Sequence, residues 1–434
     1  MALPNGSGST GAGPDGAAAD GPALSGMRVL DMTQYEAGTS CTQALAWLGA
    51  DVVKIERPGT GDPGRVVSTG TDHSPYFLTW NSNKRSVSID LNTPEGRDVL
   101  LQMVPHYDVF VENYGPGVVE KLDIDYEVLS QINPRLIYGR VKGFGTTGPY
   151  AGFKCFDMVA QAMGGGFSVT GEADGPPLRP GPTVGDAGTG VQMALAITAA
   201  YVQQQRTGKG QEIDLSMQEA YTYYMRTMLA TSGDYDREPA KRNGNQAGAP
   251  TDLYPCAPFG PNDWVYIMVV TTRMWDTFCI TIDRPDFLAD ARFERGKLRV
   301  ENRDALYEEI SKWTRERTKQ EVIEILGAAG VPCGYVADTT DYWKDPHMRE
   351  RGLIQTVHHP EAGDVDLLRF PPLMSGSHVP IEPAPLLGQH TAEVLTADTA
   401  LSAEQVRDLQ ERGVLASSEV PEGAETDAEV EPAR

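Results

Sequence analysis

Cysteine is scarce in this chain: Cys41, Cys155, Cys256, Cys279 and Cys333 are the 5 among 434 residues, and they share no CxxC spacing. That excludes a disulfide frame and a structural zinc site, and reads as reduced thiols of a cytoplasmic protein. The 7 histidines show no HExxH or other ligand spacing, and His358-His359 falls in a loop-like stretch, so no metal is expected. Positive charge is short as well. Lys and Arg number 37 against 60 Asp and Glu, a formal net charge of -23. Nucleic acid and an anionic membrane surface are polyanions and are excluded as partners on that ground. No apolar run is long enough to span a bilayer. Glycine is missing where a dinucleotide fold needs it. The turn after the first predicted strand, Met32-Thr33-Gln34-Tyr35-Glu36-Ala37-Gly38, is not GxGxxG, so a pyrophosphate cannot approach a helix start there in that manner.

What is present is an α/β pattern, in a chain long enough for two or three domains. Residues 1–25 hold no Lys, Arg or apolar segment and read as a disordered leader; residues 416–434 read as an acidic disordered tail. Between them, short β-branched runs at 28–31, 51–55, 86–89, 109–111 and 136–139 alternate with helical stretches. That alternation predicts a mostly parallel sheet with helices on both faces over 26–226. A smaller unit follows at 227–342, with a strand at 264–270 and helices near 302–314 and 319–329. Residues 343–415 read as a loop-rich return with a short helix at 387–397.

Ligands of such sheets bind beyond the carboxyl ends of the strands. Arg57, Lys84, Arg85, Lys121, Lys142 and Lys154 fall in or near the loops of that rim, which makes a phosphate-bearing ligand plausible. The most informative stretch is Gly185-Asp186-Ala187-Gly188-Thr189-Gly190, one carboxylate among glycines that opens an apolar helix at 191–202. A carboxylate there is either a helix cap or a nucleophile whose acyl adduct draws on the N–H groups of the helix start. Those groups and the helix dipole would favour its anion. Asp157 is a second carboxylate at a helix start, where a helix cap is again the simplest reading.

The run from Thr42 to Gly59 (TQALAWLGADVVKIERPG) resembles the opening of the class III CoA-transferases. Asn81–Ser86 (NSNKRS), Glu112–Gly117 (ENYGPG), Asn133–Ile137 (NPRLI), the Asp186 stretch, Thr207–Gln211 (TGKGQ) and Pro385–Thr391 (PLLGQHT) extend the likeness over residues 27–391. The resemblance implies a Rossmann-like large domain, a smaller α+β domain and an interlocked homodimer. It implies no permanently bound cofactor, with a coenzyme A thioester and a carboxylic acid as substrates. Asp186 matches the family nucleophile, which forms an aspartyl-CoA thioester. Arg57, Asn113, Tyr114, Lys121 and Lys154 match positions that contact CoA, and Asp157 matches a glutamate beside the active site.

Two departures bear on the substrates. Glu36 stands where the formyl-CoA-using branch has glutamine, and that branch's glycine-rich flap is shortened to Gly244-Asn245-Gln246-Ala247-Gly248. Arg273, which follows a strand of the smaller unit, is a candidate partner for an acceptor carboxylate. The related 2-methylacyl-CoA racemases carry Gly-His-Asp, whose His moves the α-proton. Here Phe156 precedes Asp157, and a phenyl ring carries no proton. Transfer is therefore favoured over racemisation, and the carboxylate at 186 argues against a non-catalytic CoA-binding protein.

Overall fold

The computed structural model describes residues 21–70, 73–231 and 238–418. Six strands form the main sheet: β1 (Arg28–Met32), β2 (Asp51–Glu56), β3 (Arg85–Ile89), β4 (Val109–Glu112), β5 (Ile137–Lys142) and β6 (Gln211–Ser216). They are parallel and lie in the order β3-β2-β1-β4-β5-β6, with Leu415–Ala416 added antiparallel on the free edge of β3. Helices cover both faces, so the apolar residues of β1, β2 and β4 are buried on either side, with the charged Asp31, Lys54, Glu56 and Glu112 buried among them. The chain leaves β1 toward β2 on one side and returns to β4 on the other. A crevice opens above their carboxyl ends at that reversal.

One core packs Leu30, Val53, Val87, Phe110 and Tyr138 against Leu100, Leu129, Val394 and Leu409. The opposite face packs Val29, Val52, Val109 and Val111 against Cys41, Leu45, Met193 and Ile197. A third core gathers Trp275, Phe278 and Phe287 on an antiparallel sheet of Asp252–Pro255, Trp264–Ile267 and Cys333–Tyr335. All five cysteines are unpaired. Among the described residues, no helix is long and apolar enough to cross a membrane.

The elements differ from the sequence reading in several places. The helix expected at 191–202 runs Ala187–Thr207 and is buried on one side only, against helix Ala37–Trp47; Val191, Leu195 and Val202 are exposed. The strand expected to reach 270 ends at Ile267, and the two following helices are Arg303–Arg315 and Lys319–Ala328. The return is less loop-like than its prolines imply. It forms a hairpin of Ile354–His359 with Gly363–Leu368, which makes His358 and His359 strand residues. Its helices are Pro346–Glu350, Thr391–Asp398 and Ala403–Glu411. The first twenty residues of the expected leader and the tail from 419 onward lie outside the described residues. The leader's last residues are packed, with Leu24 buried and its N–H donating to the Leu48 carbonyl at 2.8 Å.

Candidate active site

A buried charged layer fixes the loop after β1. Lys84 Nζ donates to Asp31 Oδ2 at 2.9 Å, to Asn81 and to Thr42, and Lys54 Nζ pairs with Asp62 at 2.8 Å. Arg65 forks onto Glu56 at 2.8 and 2.7 Å. With its charges and hydrogen bonds matched, this layer holds the chain where an apolar core would leave it loose. Asp62 Oδ1 accepts the Tyr35 N–H at 3.0 Å, and Asn113 exchanges two 2.8 Å bonds with the Gln34 backbone. Tyr35 is thereby kept in the left-handed region at φ 59°, a strained conformation for a tyrosine. The loop so shaped turns the next residue, Glu36, inward, where it is 3% exposed.

Glu36 Oε1 accepts from Thr183 Oγ1 at 2.5 Å, and the Tyr76 hydroxyl lies beside it. Asp157 is held by Gln161, whose Nε2 donates to both carboxylate oxygens at 2.9 and 2.7 Å. Asp157 Oδ1 in turn accepts the Asp186 N–H at 3.2 Å. Gly185 permits this approach: a Cβ there would lie 2.7 Å from the Asp157 carbonyl oxygen and 2.8 Å from Oδ1. Glu36, Asp157 and Asp186 thus form one carboxylate cluster.

Asp186 occupies the N-cap position of helix Ala187–Thr207, but its side chain makes no capping hydrogen bond. The expected N–H donors at this helix start are engaged as well. Ala187 N–H donates to Thr183 O at 2.9 Å and Gly188 N–H to Val184 O at 3.1 Å. The expected lowering of the carboxyl's pKa is therefore reversed. Burial, with Glu36 and Asp157 beside it, pushes Asp186 up to about 8, and burial raises Glu36 to about 7.

Asp186 lines a cavity of about 230 Å³ together with Gln34, Tyr35, Asn113, Tyr114, Lys154 and Phe156. A larger cleft of about 670 Å³ shares Gln34 and Tyr114 with it and carries Arg57 and Lys121. The five residues expected at CoA thus surround two adjoining spaces above the carboxyl ends of the strands. Arg273 is exposed in the first turn of helix Thr272–Thr281 and lines neither space. Three of the expected rim cations are corrected. Lys84 is bound to Asp31, Lys142 to Glu112 at 2.8 Å and Arg85 to Asp51 at 2.7 Å, so each neutralises a carboxylate of the protein itself. Arg57, Lys121 and Lys154 are exposed, and none forms an ion pair among the described residues. Sequence reasoning missed Thr183 and Tyr76, which carry no local signal. Gln161 does carry one: it stands four residues after Asp157, at the helical spacing for a Gln–Asp pair.

Two expectations follow. Lys121→Ala and Lys154→Ala should each raise the KM for acyl-CoA about tenfold, the value of one charge-assisted hydrogen bond. Unaltered KM in both and in Arg57→Ala would remove these cations from the site. Separately, with Asp186 as the nucleophile that the resemblance implies, only its anion attacks, and kcat/KM for acyl-CoA should climb with pH and level off above about 8. A profile flat from pH 6 to 9 would show that no such group limits the reaction.

The sequence profile of CoA-transferase family III matches residues 24–391, and the chain belongs to that family. It is 38% identical over 406 residues to the formyl-CoA:oxalate CoA-transferase of Streptomyces avermitilis, covering 90% of this chain and 98% of the relative. The enzyme of the same name from Rhodopseudomonas palustris strain BisA53 is 35% identical over 412 residues, with 90% and 96% covered. Among solved structures, a CAIB/BAIF family protein from Brucella suis superposes with a TM-score of 0.78 at 30% identity, covering 87% of this chain and 100% of that one. Rv3272 from M. tuberculosis gives 0.74 at 27% identity, with 86% and 98% covered.

Proposed function

We propose that this class III CoA-transferase moves CoA from an acyl-CoA to a carboxylic acid through a covalent aspartyl-CoA thioester on Asp186. The observation that carries the reading is the uncapped Asp186 carboxylate on a cavity adjoining a cleft that holds Arg57 and Lys121. The larger cleft takes the nucleotide end of CoA, and the smaller one takes the thioester. Asp186 attacks the thioester carbonyl and expels CoA thiolate, leaving an acyl–aspartyl anhydride. The thiolate then attacks the aspartyl carbonyl and releases the donor acid. The acceptor carboxylate reverses both steps, and Asp186 is regenerated as the new thioester leaves. Asp157, through the Asp186 N–H, sets the direction of the nucleophile.

The large domain is read as Rossmann-like, spanning 26–226 with a return at 343–415, and the smaller one as 227–342. The strand order and the separate core around Trp275 support that division. A homodimer is supported by the exposed apolar residues Val191, Leu195, Val202, Tyr223 and Tyr224. The five unpaired thiols favour the cytoplasm. The test is incubation with acyl-CoA and no acceptor. The peptide containing Asp186 should gain the mass of CoA, be reduced by borohydride and yield a hydroxamate with hydroxylamine. α-Proton exchange without an adduct would instead assign a racemase.

A further inference from the structure

The acceptor acid must reach the aspartyl carbonyl of the loaded enzyme, so its remaining atoms face whatever surrounds Asp186. Those surroundings are acidic on one side and apolar on the other. Glu36, which is buried, and Asp157, held on both oxygens by Gln161, adjoin Asp186 without lining the cavity, while Tyr35, Phe153 and Phe156 line it. Tyr35 meets Phe156 edge to face, with ring centroids 6.2 Å apart. Two cations line this cavity. Lys142 is committed to Glu112 and the Tyr114 carbonyl, and Lys154 matches a position that contacts CoA in the family. With Lys154 engaged by CoA, the described lining residues offer no cation to a second carboxylate.

Resting on the nucleophile reading above, we propose that Glu36 makes the acceptor site selective for monocarboxylic acids with an apolar body and against dicarboxylates. One carboxylate of the acceptor is consumed in bonding: it attacks the aspartyl carbonyl, CoA thiolate leaves, and the charge of that carboxylate is lost in the anhydride. The second carboxylate of a dicarboxylate keeps its charge and is placed near the Glu36 carboxylate that adjoins Asp186. An apolar body is buried against the aromatic rings.

The experiment loads the wild-type enzyme with acyl-CoA, isolates the Asp186 adduct and follows its resolution by single acids. Propanoate and phenylacetate should resolve it at least tenfold faster, at equal concentration, than oxalate and malonate. The ratio should widen as pH rises from 6 to 8, where Glu36 ionises. Asp186 is a thioester in the adduct and carries no charge; among the described residues the other titratable groups facing Glu36 are Asp157, held by Gln161, and Tyr76, which burial keeps protonated across that range. Glu36→Gln should lower the ratio at least tenfold and flatten its pH dependence, an effect that a loss of packing, slowing all acids alike, would not produce. Should Glu36→Gln fail to fold, the wild-type ratio and its pH dependence still decide. Equal rates for the two acid classes, or a ratio independent of pH in the wild type, overturn the selectivity while the adduct upholds the nucleophile. No adduct with any thioester overturns both.

Discussion

Asp186→Asn is expected to lower acyl-CoA turnover about 10³-fold or more, because the amide keeps the shape of the side chain and loses the attacking oxygen anion. The variant should nonetheless fold, and at high pH it should be more stable than the wild type. The folded protein holds the Asp186 proton up to about pH 8, whereas an unfolded aspartate releases it near the ordinary value of 3.8. Within that window the native state binds the extra proton, so stability falls as pH rises across it. Asparagine has no proton to lose. Its melting temperature should therefore exceed that of the wild type at pH 9, and the gap should close toward pH 5. Near-normal transfer in this variant would end the case for a nucleophile at 186. Equal melting curves at both pH values would show that the carboxyl is not strained by its neighbours.

Gly190→Ala should cost about 3 kcal/mol of stability, at the upper end for an overpacked site. Gly190 lies where helix Ala187–Thr207 presses on helix Ala37–Trp47. A Cβ there would sit 1.9 Å from Ser40 Oγ and 2.8 Å from both Ala37 O and Cys41 N. The Ser40 side chain can rotate away, but the two backbone atoms cannot move without parting the helices. Urea unfolding measures the effect, and Ser40→Ala combined with it should restore only part of the loss. A change below 1 kcal/mol would mean that the helices separate easily. The contact matters to function because these helices carry Glu36 and Asp186 at adjacent ends.

Much of the scaffold was legible in the linear chain. Parallel strands covered on both faces are rich in apolar and β-branched residues, and Val29-Leu30, Val52-Val53 and Val109-Phe110-Val111 are legible as such although Asp31, Lys54 and Glu56 stand buried among them. The Asp186 stretch was legible for a related reason: glycines surround a carboxylate only where the backbone must be approached closely, and Gly185 and Gly190 are such places. The return was harder to read. Its hairpin pairs Ile354–His359 with Gly363–Leu368 at polar positions such as Thr356 and Asp366, and the exposed face of a two-stranded hairpin carries little apolar alternation.

The state of each charge could not be read from the chain. Lys84, Lys142 and Arg57 are alike as letters near strand ends, yet two of them are buried on carboxylates of the protein and the third is exposed. Glu56 has the position of a ribose-binding acid but is bound by Arg65 and Ser86. The ionisation of Asp186 was misjudged because a helix start seen in sequence carries free N–H groups, and here the preceding turn consumes those of Ala187 and Gly188. By itself, the sequence determined the parallel sheet and the nucleophile candidate, since these rest on backbone periodicity and local turns, and its motifs carried the resemblance to the family. Tertiary structure alone decided which charges face the cavity and which are neutralised inside. Electrostatic partners come from segments tens to hundreds of residues apart, and only folding brings Glu36, Asp157 and Asp186 into one desolvated cluster.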